Sequence, residues 1–225
     1  MNWEAVCKNK LFQGIDLDHL ERMLECSMSR YRTYCRGESV FSQEEKASSL
    51  YVLLKGRVVL VKQLISGRKN ILYEVSENDI FGEHYIFCDD SVYRYGAQAV
   101  TDVEVLQIPC SFFYGFCSET CDHHRKLIRN MLEILSAKEW MSVRKMNIIS
   151  ATSLKERISI WLMDEAREDG VVQLKMNREE LADYLGVARP SLSRALMKMQ
   201  SEGMIEVDRT HIKILDIEKL ENFCN

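Results

Sequence analysis

The side chains best suited to chemistry lie in one short stretch, GVARPSLSRALMKM. It carries Arg189, Arg194 and Lys198 with Ser191 and Ser193, and no acid interrupts residues 184–200. Arginine presents a planar fork of donors that matches the paired acceptors on the guanine edge. Serine and lysine satisfy phosphate oxygens, which adds affinity without sequence information. Together these types suit recognition of a polyanion with readable edges, and double-stranded DNA is the partner they fit.

Other reactive side chains form no such set. Eight cysteines, Cys7, Cys26, Cys35, Cys88, Cys110, Cys117, Cys121 and Cys224, are irregularly spaced along the chain. In a reducing compartment they are expected as free thiols. A disulfide switch requires two of them with Cα atoms within roughly 7 Å. The run Cys117-x-x-x-Cys121-x-His123-His124 offers thiolate and imidazole, which suit tetrahedral zinc. Packed or solvated side chains are the plainer expectation there, and no metal is assigned. His19 and His84 stand alone, so neither is assigned to haem. The chain contains no G-x-S-x-G, no H-E-x-x-H and no Gly-rich phosphate loop, so no enzyme is expected.

The elements that position the cations follow from local signals. Asn177 with Glu180 three residues on is a capping signature. Leu181, Ala182, Tyr184 and Leu185 make about two helical turns. Gly186 stops that helix with a left-handed backbone, and Val187 packs back into the angle. Pro190 suits the first turn of the next helix, where its missing N–H costs nothing. Leu192, Ala195, Leu196 and Met199 form an inner face, which leaves the cations outside. Two short helices joined by a glycine turn make a helix-turn-helix, whose second helix can enter the major groove. After Gly203, MIEV and HIKIL flank Asp208-Arg209-Thr210 and read as a two-stranded wing. A helical pair that only packs or dimerises would not explain both the outward arginines and the wing.

Upstream, Ser153 and Glu156 form another capping box, which makes residues 150–152 a hinge between domains. The helix that follows buries Ile158, Trp161 and Leu162. Before the hinge, Leu127, Met131, Ile134, Lys138, Met141, Lys145 and Ile148 repeat at 4,3 spacing. A second stripe, Ile128, Leu132, Leu135, Glu139, Ser142, Met146 and Ile149, runs beside it. One long helix with two stripes either packs only on its own β domain or also meets a second copy of itself. Residues 31–109 read as short β-branched and aromatic runs separated by turn signals at Gly37, Gly56, Gly67, Asn78-Asp79 and Asp89-Asp90. Such spacing predicts an antiparallel sandwich or barrel-like roll. A helix precedes it, with Leu17, Leu20, Met23 and Leu24 at helical spacing and Asp16 as its expected cap.

The whole chain sets outer bounds. At 225 residues it holds one large domain or two modest ones. Hydrophobic residues at 46% and charged residues at 28% are ordinary for a globular protein. A net charge of −4 argues against non-specific nucleic-acid binding by the entire surface but allows a local basic face. No apolar run approaches the roughly 18 residues of a membrane helix, and the N-terminus lacks a signal-peptide pattern. A cytoplasmic protein without a membrane partner is expected.

The segments RGESVFSQEEKASSLYVLLKGRVVLV, NDIFGE and GVARPSLSRALMKMQSEGMI, in this order, resemble the Crp/Fnr family of bacterial transcription regulators. The resemblance covers nearly the whole chain. It implies an α+β fold: an N-terminal antiparallel β-roll of the cupin-like or jelly-roll kind over residues 1–117, a long dimerisation helix and hinge over 118–150, and a winged helix-turn-helix over 151–225. It also implies a homodimer on a two-fold DNA site, with RNA polymerase as a further partner. The event that shifts the reading helices would be a small-molecule or redox event in the roll. In the cyclic-nucleotide-binding members, a glutamate after glycine takes the ribose and an arginine takes the cyclic phosphate. Gly82 and Glu83 match; the arginine position holds Tyr93, with Arg94 next. A one-residue shift in extended chain turns a side chain to the opposite face, so Arg94 points away unless a bulge restores it. The adenine-reading hydroxyl pair falls on Lys138 and Glu139. The resemblance thus implies an effector other than cAMP, against Gly82, Glu83, Tyr85, Tyr93, Arg94, Tyr95 and Lys138, or a pocket filled by its own side chains. No cofactor is implied. Iron–sulfur ligation needs clustered thiolates, and Cys7, Cys26 and Cys35 are not clustered. On the DNA helix, Arg189 and Arg194 match the family's arginines and Ser191 stands for its threonine. Pro190 replaces a glutamate, and proline cannot accept from cytosine. The alternative function is a cyclic-nucleotide-binding or a thiol- or metal-based redox-sensing signalling protein.

Overall fold

The computed structural model describes residues 3–85, 92–114 and 122–223. The chain forms two compact units, Met1–Leu135 and Ser136–Asn225. In the first, helices α1 (Trp3–Lys8) and α2 (Leu17–Cys26) precede eight strands among the described residues. These are β1 (Arg30–Tyr34), β2 (Ser39–Phe41), β3 (Ser49–Lys55), β4 (Val58–Gln63), β5 (Lys69–Val75), β6 (Ile80–Phe81), β7 (Gly96–Ala99) and β8 (Val103–Pro109). Short α3 (Ser111–Tyr114) follows, and then α4 (Asp122–Ser150), whose 29 residues run through the boundary into the second unit.

The eight strands form two antiparallel four-stranded sheets, ordered β1-β8-β3-β6 and β2-β7-β4-β5. This is the expected antiparallel roll. β3 explains why its sequence, SLYVLLK, is almost continuously apolar: both of its faces are covered. Leu50, Val52 and Leu54 pack with Leu11, Phe12, Leu20 and Met131. Tyr51 and Leu53 face the opposite way, into a second core with Phe41, Leu60, Phe81 and Ala97. Leu20, Met23 and Leu24 of α2 are buried, whereas Leu17 is exposed. Asp16 occupies the cap position, yet its side chain makes no capping hydrogen bond. The carboxylate instead lies 3.9 Å from Nδ1 of His19.

In the second unit, α5 (Leu154–Glu165) is followed by β9 (Val171–Gln173), α6 (Arg178–Tyr184), α7 (Arg189–Ser201), β10 (Ile205–Val207), β11 (His211–Ile214) and α8 (Ile217–Glu221). Both expected capping boxes are present, at Ser153 with Glu156 and at Asn177 with Glu180. β10 and β11 form the predicted wing. A third strand, β9, extends it to the order β10-β11-β9. Ile148, Ile158, Trp161, Leu162, Leu196 and Ile212 share one core.

Candidate nucleic-acid interface

The site is built on α7. Gly186 carries φ +68°, a backbone that a side chain disfavours. It lets the chain turn at the end of α6, where Val187 N–H donates to Ala182 O at 2.9 Å. Arg157 braces this turn, with Nη1 donating to Leu185 O at 3.1 Å and Nε to Ala151 O at 3.3 Å. The bond to Leu185 had no signature in the sequence, because it joins residues 28 positions apart in the chain.

α7 begins with Pro190 in its first turn. Leu192, Leu196 and Met199 are buried beneath it. Arg189, Arg194 and Lys198 are exposed, and Ser191 and Ser193 are half-buried. Arg189 lies 3.6 Å from Glu179 of α6, an exposed pair that contributes little. Nε of Arg194 donates to Pro190 O at 3.3 Å, and its second terminal nitrogen reaches Ser191 Oγ at 3.4 Å. These bonds fold the guanidinium back along the helix surface toward Pro190 and Ser191. On one flank, Ser191, Arg194 and Lys198 line a shallow groove with Ser153, Lys155 and Phe223. Lys155 and Ser153 were not among the expected site residues; they come from the start of α5. At the wing tip Arg209 is exposed. There the backbone N–H groups of Thr210 and Arg209 hold the Asp208 carboxyl below its ordinary pKa.

In the roll, Gly82 has φ +79°, and a Cβ there would meet Ser49 O at 3.1 Å and the Tyr51 ring at 3.3 Å. Glu83 beside it is buried, with Oε1 3.6 Å from Nδ1 of His84. Tyr93 turns inward: it is 1% exposed, stacks on Phe41 at 3.8 Å between ring centroids, and donates its hydroxyl to Ser49 O at 2.9 Å. Arg94 is exposed, while its backbone N–H donates to Tyr85 Oη at 2.9 Å. Tyr95 is buried, and burial together with the Glu83 charge pushes its hydroxyl pKa up. Lys138 belongs to the second unit, the other six residues to the first. Asp89, Asp90, Cys88, Cys117, Cys121 and Cys224 lie outside the described residues. His123 stacks on His19 at 3.8 Å, and buried His124 stacks on Phe112 at 4.6 Å.

An antiparallel roll, a long helix and a winged helix-turn-helix define a DNA-binding transcription regulator. Models of known domains agree: a cyclic nucleotide-binding domain matches residues 31–120 and a Crp-like helix-turn-helix domain matches residues 156–223. The chain is 25% identical over 201 residues to the transcriptional activatory protein AadR of Rhodopseudomonas palustris, covering 86% of this chain and 81% of that one. It is 27% identical over 214 residues to the nitrogen fixation regulation protein FixK of Bradyrhizobium diazoefficiens, covering 92% and 83%. The catabolite activator protein of Thermus thermophilus shares the fold at TM-score 0.53 and 20% identity, covering 96% of this chain and 98% of that one. The chain belongs to the Crp/Fnr family of transcription regulators.

Proposed function

We propose that the protein acts as a cytoplasmic homodimer that reads a two-fold DNA site through α7. Arg189 and Arg194 face base edges, and Ser191, Ser193 and Lys198 hold phosphates. The observation that carries this reading is the arrangement of α7. Its three cations are exposed while Leu192, Leu196 and Met199 are buried, Arg194 lies opposite that buried face, and no acid lies between residues 184 and 200. Pairing through α4 is supported by Trp140, Met141, Val143, Met146 and Ile149, which are exposed along its second half. Two copies supply two reading helices for a palindromic site.

Regulation enters through the roll by a small molecule other than cAMP. Tyr93 stands where the family resemblance puts the phosphate-binding arginine, and its ring is packed rather than free. The divisions at residues 117 and 150 mark the limits of this sensing part and of the dimer helix. RNA polymerase is the partner through which transcription changes, as the family resemblance implies; among the relatives, AadR is a transcriptional activatory protein. A signalling module without DNA function does not account for α7 and its wing.

The test is selection of duplexes from a random pool, followed by sedimentation of the complex. Two chains per duplex are expected, on symmetric sites whose half-site centres lie about one helical turn apart. One chain bound to asymmetric sites would refute the dimeric reading.

A further inference from the structure

One exposed residue of α7 has no part in the interface just described. Met197 is 68% exposed, although α7 buries Leu192, Leu196 and Met199 well. At about 100° per residue, Pro190, Arg194 and Met197 share one ridge, and that ridge points directly away from the buried face. All three are exposed. Rising about 1.5 Å per residue, Met197 lies about 4.5 Å along the axis from Arg194, and Pro190 about 6 Å on the other side. The ridge therefore spans roughly three base steps of about 3.4 Å, with a cation in the middle and an apolar group at each end.

Such a ridge matches one kind of surface. Thymine is the base that presents an apolar group, its C5 methyl, in the major groove. Methionine is unbranched and polarisable, so its thioether follows an uneven surface without burying an unpaired donor. Arg194 and Lys198 flank it, which favours a polyanion over an apolar protein surface. We propose that Met197 is a specificity-determining residue, whose thioether packs on a thymine methyl one base step from the pair that Arg194 reads. Pro190 makes the corresponding apolar contact on the other side. This inference rests on the DNA-binding function proposed above.

The experiment uses the full-length protein and duplex sites selected from a random pool. Each thymine of one half-site is replaced in turn by deoxyuridine, which removes only the methyl. Binding to one such duplex, substituted beside the guanine read by Arg194, falls about fourfold, the loss for one desolvated methyl group. Met197→Ala falls by a similar factor on the thymine duplex and no further on the uridine duplex. The wild-type arm needs no variant, so it stands even if Met197→Ala folds poorly. Indifference of the wild type to every uridine, or an equal loss by Met197→Ala on both duplexes relative to wild type, overturns the assignment while leaving DNA binding intact. Failure to select any duplex overturns the DNA-binding function itself.

Discussion

Arg144 of the long helix donates Nε to Asp164 Oδ2 and Nη1 to Glu165 Oε1, both at 2.8 Å. One guanidinium thus clasps two consecutive carboxylates in the last turn of α5. Acids at a helix C-terminus oppose the helix dipole, so this cation offsets a local cost as well as tying two helices together. Its side chain is only 16% exposed, which limits screening by water and salt.

Removing the clasp should be felt. Arg144→Met keeps the stem and removes both charge-assisted bonds, at a cost of about 1–3 kcal/mol. For a chain of this size each kcal/mol lowers the melting midpoint by about 2–4 °C. Thermal unfolding of the full chain measures it; an unchanged midpoint would mean that the pair contributes nothing.

Tyr93 gives a second prediction. Tyr93→Phe removes the hydroxyl, with its bond to Ser49 O and its hydrogen bond with Tyr51, and costs about 1 kcal/mol. Tyr93→Ala also empties the space beside Phe41 and costs about 3–5 kcal/mol. Urea unfolding separates the two. Added cAMP should leave the wild-type midpoint unmoved, because a ligand stabilises only the state that binds it. A cAMP-dependent rise would show that the ring moves aside for a nucleotide.

Cys110 predicts a pH dependence. Burial pushes its thiol pKa up to about 11, while Cys7, Cys26 and Cys35 are exposed. In the unfolded chain the thiol ionises near 9. The folded chain keeps the proton between these values, so this contribution is complete below pH 9 and is lost as pH rises through 11. Alkylation with peptide mapping should label Cys35 rapidly at pH 8, and Cys110 only after unfolding. Equal rates for the two thiols in the native protein would contradict the buried placement.

What the sequence revealed, and what it hid, follows from the range of each interaction. The capping boxes at Ser153 and Asn177, the stop at Gly186 and the start at Pro190 are decided within four residues, and each is present. Tyr93 is buried and Arg94 exposed, in a stretch that bends at residues 94 and 95 before β7 begins. Longer-range features were hidden. Val171–Gln173 becomes a strand only by pairing with residues 211–213. Gly96–Ala99 has weak strand formers, yet lies between β2 and β4, with both neighbours bonded to it. Asp16 looked like a cap but turns toward His19. The partners of Arg144, and the bond from Arg157 to Leu185, had no signature, because the fold alone brings these residues together.

Base reading by Arg194 is tested most directly by comparing wild type with Arg194→Ala on a selected duplex and a scrambled one at the same stated salt, since phosphate contacts govern salt dependence. The prediction is a loss of about 1–3 kcal/mol on the selected duplex, with relaxed preference at one position of each half-site and little change on the scrambled one. Equal losses on both duplexes would make Arg194 a phosphate contact and contradict its role as a base reader.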